Sequence, residues 1–250
     1  MDSWFWLPAL ALLLGACALV PLGQQVLQRG VVFMDLAVAQ AAAAGSLWAL
    51  VALHQHQEGH ETALDLAGLA GSLVCALAVA ALSRRWPQRR EALIGLLYVL
   101  CAALALLGAR MDPHGRDRML ELLAADVLWV QGPQVLMLAL AAVLLWVALW
   151  MRPQLLGQDT PFYIGFALVI SVAVPVLGLF VVFALLIGPA LWLRASPQAP
   201  SLHALRAPLA LAFGACALGL AASWWWDAPS GACVALACAL LGLAAALRRT

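Results

Sequence analysis

Apolar residues run along this chain in nine long blocks, near 4–22, 36–53, 63–82, 92–109, 134–151, 161–175, 177–193, 206–224 and 229–247, with short polar stretches between them. Within a block Leu, Ala and Val follow one another without alternating, which predicts helices rather than strands. Blocks of about 20 residues suit the ~30 Å of hydrocarbon that a membrane helix must cross, and only helices or closed barrels satisfy their backbone polar groups there. The pattern therefore predicts an all-α fold, a polytopic transmembrane helical bundle forming one domain over 1–250. The sixth and seventh blocks meet at Pro175 and Gly178. A Pro followed by a Gly breaks so long an apolar run into two short helices, which gives about nine spans. One broken or re-entrant element over 161–193 gives eight, the second choice.

Arginine placement tests this count independently, because cytoplasmic loops collect Arg. With nine spans and the N-terminus outside, Arg29, Arg84, Arg85, Arg89, Arg90, Arg152, Arg194, Arg206, Arg248 and Arg249 fall inside. Only Arg110, Arg116 and Arg118 fall outside, accompanied by Asp112, Asp117, Glu121 and Asp126. The C-terminus is then cytoplasmic. The first block begins without a basic flank and is long enough to span, so it reads as a retained helix and not a cleaved signal.

Composition agrees with a chain solvated by lipid: 66% of the 250 residues are hydrophobic, 10% are charged, and the mean hydropathy is +0.98. The net charge of +1 argues against nucleic acid as a partner. All thirteen basic residues are Arg, which points to coding bias. Six cysteines lie inside apolar blocks without CxxC spacing, and read as small buried hydrophobes. No stretch accommodates a nucleotide-binding fold or a phosphate-cradling loop. Energy from ATP, if used, must come from another chain.

A few polar residues stand out against this background. Asp35 sits at the edge of an apolar block, where an ionisable group is a candidate for function because burying it is costly. The alternative is a helix N-cap at the interface. The loop HQHQEGHE clusters His54, His56, Glu58, His60 and Glu61 on the outer side, where neutral imidazoles can collect a metal ion; the alternative is a plain polar turn. Glu91, beside Arg89 and Arg90, reads as an ion-paired helix start. Met119 to Val130 reads as an amphipathic surface helix anchored by Trp129, and Trp224 to Trp226 as an interfacial belt. Small residues from Ala41 to Gly45, with Gly68 and Gly71, read as helix-packing positions.

Four ordered segments resemble the zinc/manganese-type ABC transporter permeases. PLGQQVLQRGVVFMDLAVAQAAAAG carries Pro21, Leu22, Gly23, Arg29, Asp35 and Gly45; RRWPQRREALIGLLYVLCAALALL carries Glu91, Ala92, Ile94 and Gly95. VLGLFVVFALLIGPALWLR carries Gly178, Leu185, Leu186, Pro189 and Ala190; GLAASWWWDAPSGACVALACALLGLAAAL carries Asp227, Pro229, Ser230 and Gly231. The resemblance covers most of the chain. It implies the permease subunit of an importer for a divalent metal ion (zinc first, then manganese or iron) in the bacterial inner membrane. It further implies a homodimer, two copies of a separate ATPase subunit, and a soluble metal-binding protein as donor. Such a subunit is not an enzyme and holds no permanent cofactor.

The sequence departs from that family at two places. Where the family pairs its Asp with a His four residues on as ligands lining the path, this chain follows Asp35 with Ala39, and Gln40 beside it. An amide oxygen is a weak metal ligand and Ala is none. The second departure is MRPQLLGQDTPFYIG, an abbreviated form of the segment that docks the ATPase. Coupling then falls to the stub that holds Arg152, Gln158 and Asp159, or to another loop. Loss of the path His leaves two further readings: a relative carrying a different substrate, and a non-transporting scaffold that kept the fold.

Overall fold

The computed structural model describes residues 6–53, 61–111, 127–151, 157–192 and 204–247. These residues form nine α-helices: α1 (Trp6–Arg29), α2 (Met34–Ala52), α3 (Glu61–Arg85), α4 (Arg90–Arg110), α5 (Gly132–Met151), α6 (Asp159–Leu177), α7 (Leu179–Ile187), α8 (Arg206–Trp226) and α9 (Ser230–Leu247). Short 3-10 turns occupy Pro87–Arg89, Val127–Trp129 and Pro189–Trp192. Seven helices are long and apolar enough to cross a membrane, while Leu179–Trp192 and Ser230–Ala245 are shorter apolar elements. The all-helical bundle expected from the apolar pattern is the one observed. Of the expected surface helix from Met119 to Val130, only residues 127–130 lie within the described residues, where Val127–Trp129 form a 3-10 turn with Trp129 83% exposed.

Helices α1, α2 and α6 form the interior, with 61%, 56% and 56% of their central windows buried, against 22% for α4. Their apolar character extends all round the helix, as expected of elements enclosed by protein on one side and lipid on the other. Polar side chains tie these helices together across the bundle. Trp146 Nε1 in α5 donates to the Cys17 carbonyl in α1 (3.0 Å), and Trp48 Nε1 in α2 donates to the Leu104 carbonyl in α4 (3.0 Å). Helices α2 and α3 approach closely enough that a Cβ at Gly45 would meet the Ala67 carbonyl, and one at Gly71 the Ala41 carbonyl. Small residues bring backbones together where lipid offers no hydrophobic drive for association.

The break between α6 and α7 falls where the sequence places it. Pro175 has no N–H to give the carbonyl one turn back, and Gly178 adopts φ 79 and ψ 154, a conformation open essentially to Gly alone. The chain reverses there. Asp159 at the start of α6 lies beside Arg29 at the end of α1, whereas Leu177 packs on Gly15, well up α1. Helix α7 then returns along α1, so that Leu186 and Ala190 meet Gly23. The tip is enclosed, with Leu177 at 0% and Leu179 at 5% exposure. It stands ~14 Å below the Trp6 end of α1, at ~1.5 Å per residue. The two elements thus form a hairpin with both ends toward the Arg29 end of α1.

The α8 to α9 turn is built by the segment Asp227, Pro229, Ser230 and Gly231. Asp227 takes the left-handed conformation (φ 50) that ends α8, a region where Asp is enriched among non-glycine residues. Ser223 Oγ donates to the Ala228 carbonyl (2.6 Å), and the Pro229 carbonyl accepts the Cys233 N–H (3.2 Å), starting α9 on buried Ser230 and Gly231. Their role is to fold a tight turn. Pro189 opens the buried 3-10 turn after α7, whose Trp192 Nε1 donates to the Leu241 carbonyl in α9 (2.9 Å).

Candidate translocation and coupling site

Asp35 lies in the first turn of α2, one residue past its first residue, with Phe33 as N-cap and no side-chain cap bond there. The interfacial cap is therefore not its role here. Its side chain is 0% exposed, and neither carboxylate oxygen accepts a hydrogen bond of normal geometry. Gln40, 7% exposed, likewise leaves Oε1 without a partner, as does Gln24 Oε1 on α1 at 5%. Leaving a buried acceptor unsatisfied costs about 1–3 kcal/mol, and more for a charged group.

Helix α2 is regular from Met34 to Ala52. The side chain one turn after Asp35 is consequently that of Ala39, and Gln40 stands about 140° further round the axis from Asp35. Among the described residues no group of three or more His, Cys, Asp or Glu side chains could hold a metal ion, and all five histidines lie outside those residues. The loop with His54, His56, Glu58 and His60 is in that category. So is Arg152.

The stub before α6 is described from Gly157. Gln158 is the exposed N-cap of α6 and makes no side-chain cap bond. Asp159 faces two guanidinium groups, Arg29 Nε at 3.5 Å from Oδ1 and Arg84 Nε at 3.9 Å from Oδ2. Arg29 Nη2 also donates to the Gly157 carbonyl (3.0 Å), Arg84 Nη2 donates to Thr160 Oγ1 (2.6 Å), and Arg29 lies 4.2 Å over the Phe162 ring. Arg29 Nη1 further donates to Gln25 Oε1 on its own helix. The sequence marks Asp159 and Arg29 separately; it does not show that they meet, nor that Arg84 and Thr160 join them. Gln24 was also missed, although a Gln within an apolar span is itself a signal.

Other marked residues serve structure. Glu91 lies exposed in the first turn of α4 and, among the described residues, forms no ion pair, so only its favourable place on the helix dipole stands. Gly95 has nothing within 4 Å of a Cβ placed there, so no close approach within the chain requires it. The six cysteines are free, as their apolar settings implied.

The ABC 3 transport family matches this chain over residues 5–159 and 158–249. The chain belongs to that family. The two matched segments overlap at Gln158 and Asp159. No curated protein matches the sequence. Among solved structures the fold is similar to a chain of PsaBC from Streptococcus pneumoniae in complex with Fab. The TM-score is 0.74 at 14% identity, over 98% of this chain and 91% of that one. Membership makes this ABC 3 protein a multi-pass membrane protein of a transport family, in accord with its apolar helices.

Proposed function

We propose that this protein is the permease subunit of an ABC importer for a divalent metal ion in a bacterial inner membrane, with its N-terminus outside. It works as a homodimer with two copies of a separate ATPase subunit, and a soluble metal-binding protein delivers the ion. The carrying observation is Asp35, a fully enclosed carboxylate that accepts no hydrogen bond of normal geometry from the described residues, on an interior helix of a transport-family bundle. An ion in transit would supply the missing partner. A carboxylate oxygen with Ala39 in place of an imidazole one turn on is a hard donor, which moves manganese ahead of the zinc that the family resemblance puts first. The His54 to His60 loop offers the incoming ion a first contact outside.

Asp35 is fully buried, so an ion would reach it only when the surrounding helices part. Nucleotide binding on the ATPase would shift the population toward a state in which the helices around Asp35 part, and hydrolysis would reset it. The stub from Arg152 through Gln158 and Asp159 is the contact for that subunit. The test is uptake of labelled manganese and zinc into vesicles holding the chain with its ATPase, with Asp35→Ala beside wild type. ATP-dependent uptake that Asp35→Ala abolishes supports the reading. Uptake untouched by the change removes Asp35 from the path, and no uptake of either ion removes the metal assignment.

A further inference from the structure

We infer that Asp159 is a positioning residue, an ionic latch that makes the inner ends of α1, α3 and α6 move as one body and carries motion of the stub to Asp35. The inference rests on the proposed coupling role of that stub. Its carboxylate is shared by Arg29 and Arg84, which end two different helices. Each arginine holds the stub at a second point, Arg29 at the Gly157 carbonyl and Arg84 at the Thr160 hydroxyl. The attachment is therefore made at three residues, Gly157, Asp159 and Thr160, by two cations. The Arg29 side chain is only 12% exposed and is stacked on Phe162, so it is held on two sides; Arg84 is 55% exposed and reaches in from the rim.

Arg29 also connects directly to the path. The link from α1 to α2 is a tight turn in which the Val31 N–H donates to the Val26 carbonyl (3.2 Å) and the Met34 N–H to the Val31 carbonyl (3.0 Å). Gly30 takes φ 57 under the Arg90 guanidinium. Asp35 follows Met34 in the first turn of α2. A displacement of Gly157 to Thr160 that drags Arg29 must move this turn and the start of α2 with it, because no slack lies between them. A short stub can couple without the longer segment of its relatives if it is fastened to the elements it must move. A bundle in which α6 alone received the motion would leave Asp35 enclosed.

Two measurements separate this inference from the metal reading. Hydrogen exchange of the permease in nanodiscs follows the amides of 29–31, 84–86 and 157–160. Asp159→Asn is expected to speed exchange in all three segments by about fivefold, whereas Asp159→Glu keeps the charge and stays near wild type. Arg84→Gln, at an exposed side chain, serves if the Asn variant does not fold, and is expected to loosen 84–86 and 157–160. Exchange unchanged at the ends of α1 and α3 overturns the latch. In vesicles with the ATPase, Arg84→Gln, which lies outside the proposed ATPase contact, is expected to keep hydrolysing ATP while manganese carried per ATP falls up to about fivefold. A ratio equal to wild type overturns the transmission role. If wild type carries neither manganese nor zinc, the metal reading falls, and the exchange experiment still decides the latch.

Discussion

Ser72 on α3 and Ser171 on α6 share a hydrogen bond of 2.6 Å inside the bundle, in which one hydroxyl donates to the other and the accepting serine is left to donate to a carbonyl one turn back on its own helix. With Ser72 0% exposed, this is a polar tie between an interior helix and its neighbour at a depth where water is absent. Ties of this kind in membranes contribute on average ~0.6 kcal/mol and at most about 1.7. Ser72→Ala and Ser171→Ala are each expected to lower stability within that range. Their double-mutant cycle in detergent unfolding should return a coupling energy of similar size, because the residues are in contact. Additive losses would show that the two hydroxyls serve only their own helices.

The α2 to α3 contact should be intolerant of side-chain bulk. Gly45→Val and Gly71→Val each place atoms against a carbonyl of the facing helix. Each is expected to destabilise by about 1–3 kcal/mol, as overpacking does, and to reduce the yield of folded protein. Gly95→Ala, with open space at its Cβ, is the control; it is expected to be neutral or stabilising by about 0.5–1 kcal/mol. Thermal unfolding of the purified permease reads both.

Gly178→Ala tests the hairpin. A Cβ at φ 79 and ψ 154 is expected to cost about 1–3 kcal/mol, more than at any open helical glycine. The measurement is the unfolding midpoint. A midpoint equal to that of Gly95→Ala would mean that the reversal relaxes into an ordinary helix.

Much of this architecture is legible in the sequence, and the reasons are physical. Span length is fixed by hydrocarbon thickness, so apolar blocks reveal helices directly, and Pro175 with Gly178 reveals the reversal because each denies the backbone an ordinary helical option. What the pattern does not carry is which face of a helix meets lipid and which meets protein. Both are apolar. The sequence therefore leaves Asp35 open between a functional group and an interfacial cap, since its burial depends on helices remote in sequence. The arginine pair on Asp159 is hidden for the same reason, being assembled from the ends of α1, α3 and α6. Glu91 shows the converse: its arginine neighbours in sequence are not its partners in space.

Asp35→Asn removes the charge and keeps the shape. Because the native carboxylate accepts no hydrogen bond of normal geometry from the described residues, folding stability is expected to be unchanged or improved, while ion uptake is lost. Uptake together with an unfolding curve distinguishes a transport role from a structural one. A large loss of stability would show that a partner has been removed.

Ala39→His places an imidazole one turn from Asp35, on the same helical face. Zinc uptake relative to manganese is expected to rise, since imidazole suits zinc and oxygen donors suit manganese. An unchanged ratio in a folded variant would place the selecting group elsewhere.

The enclosed tip at Gly178 also constrains biogenesis. The opening N–H groups of α7 have no partner within their own helix, and such groups do not persist against lipid tails. Helices α6 and α7 therefore cannot wait in the bilayer as an isolated pair. Gly15 and Gly23, the glycines that receive them, belong to α1, which leaves the ribosome first. Translation order thus supplies the cradle before the element that needs it.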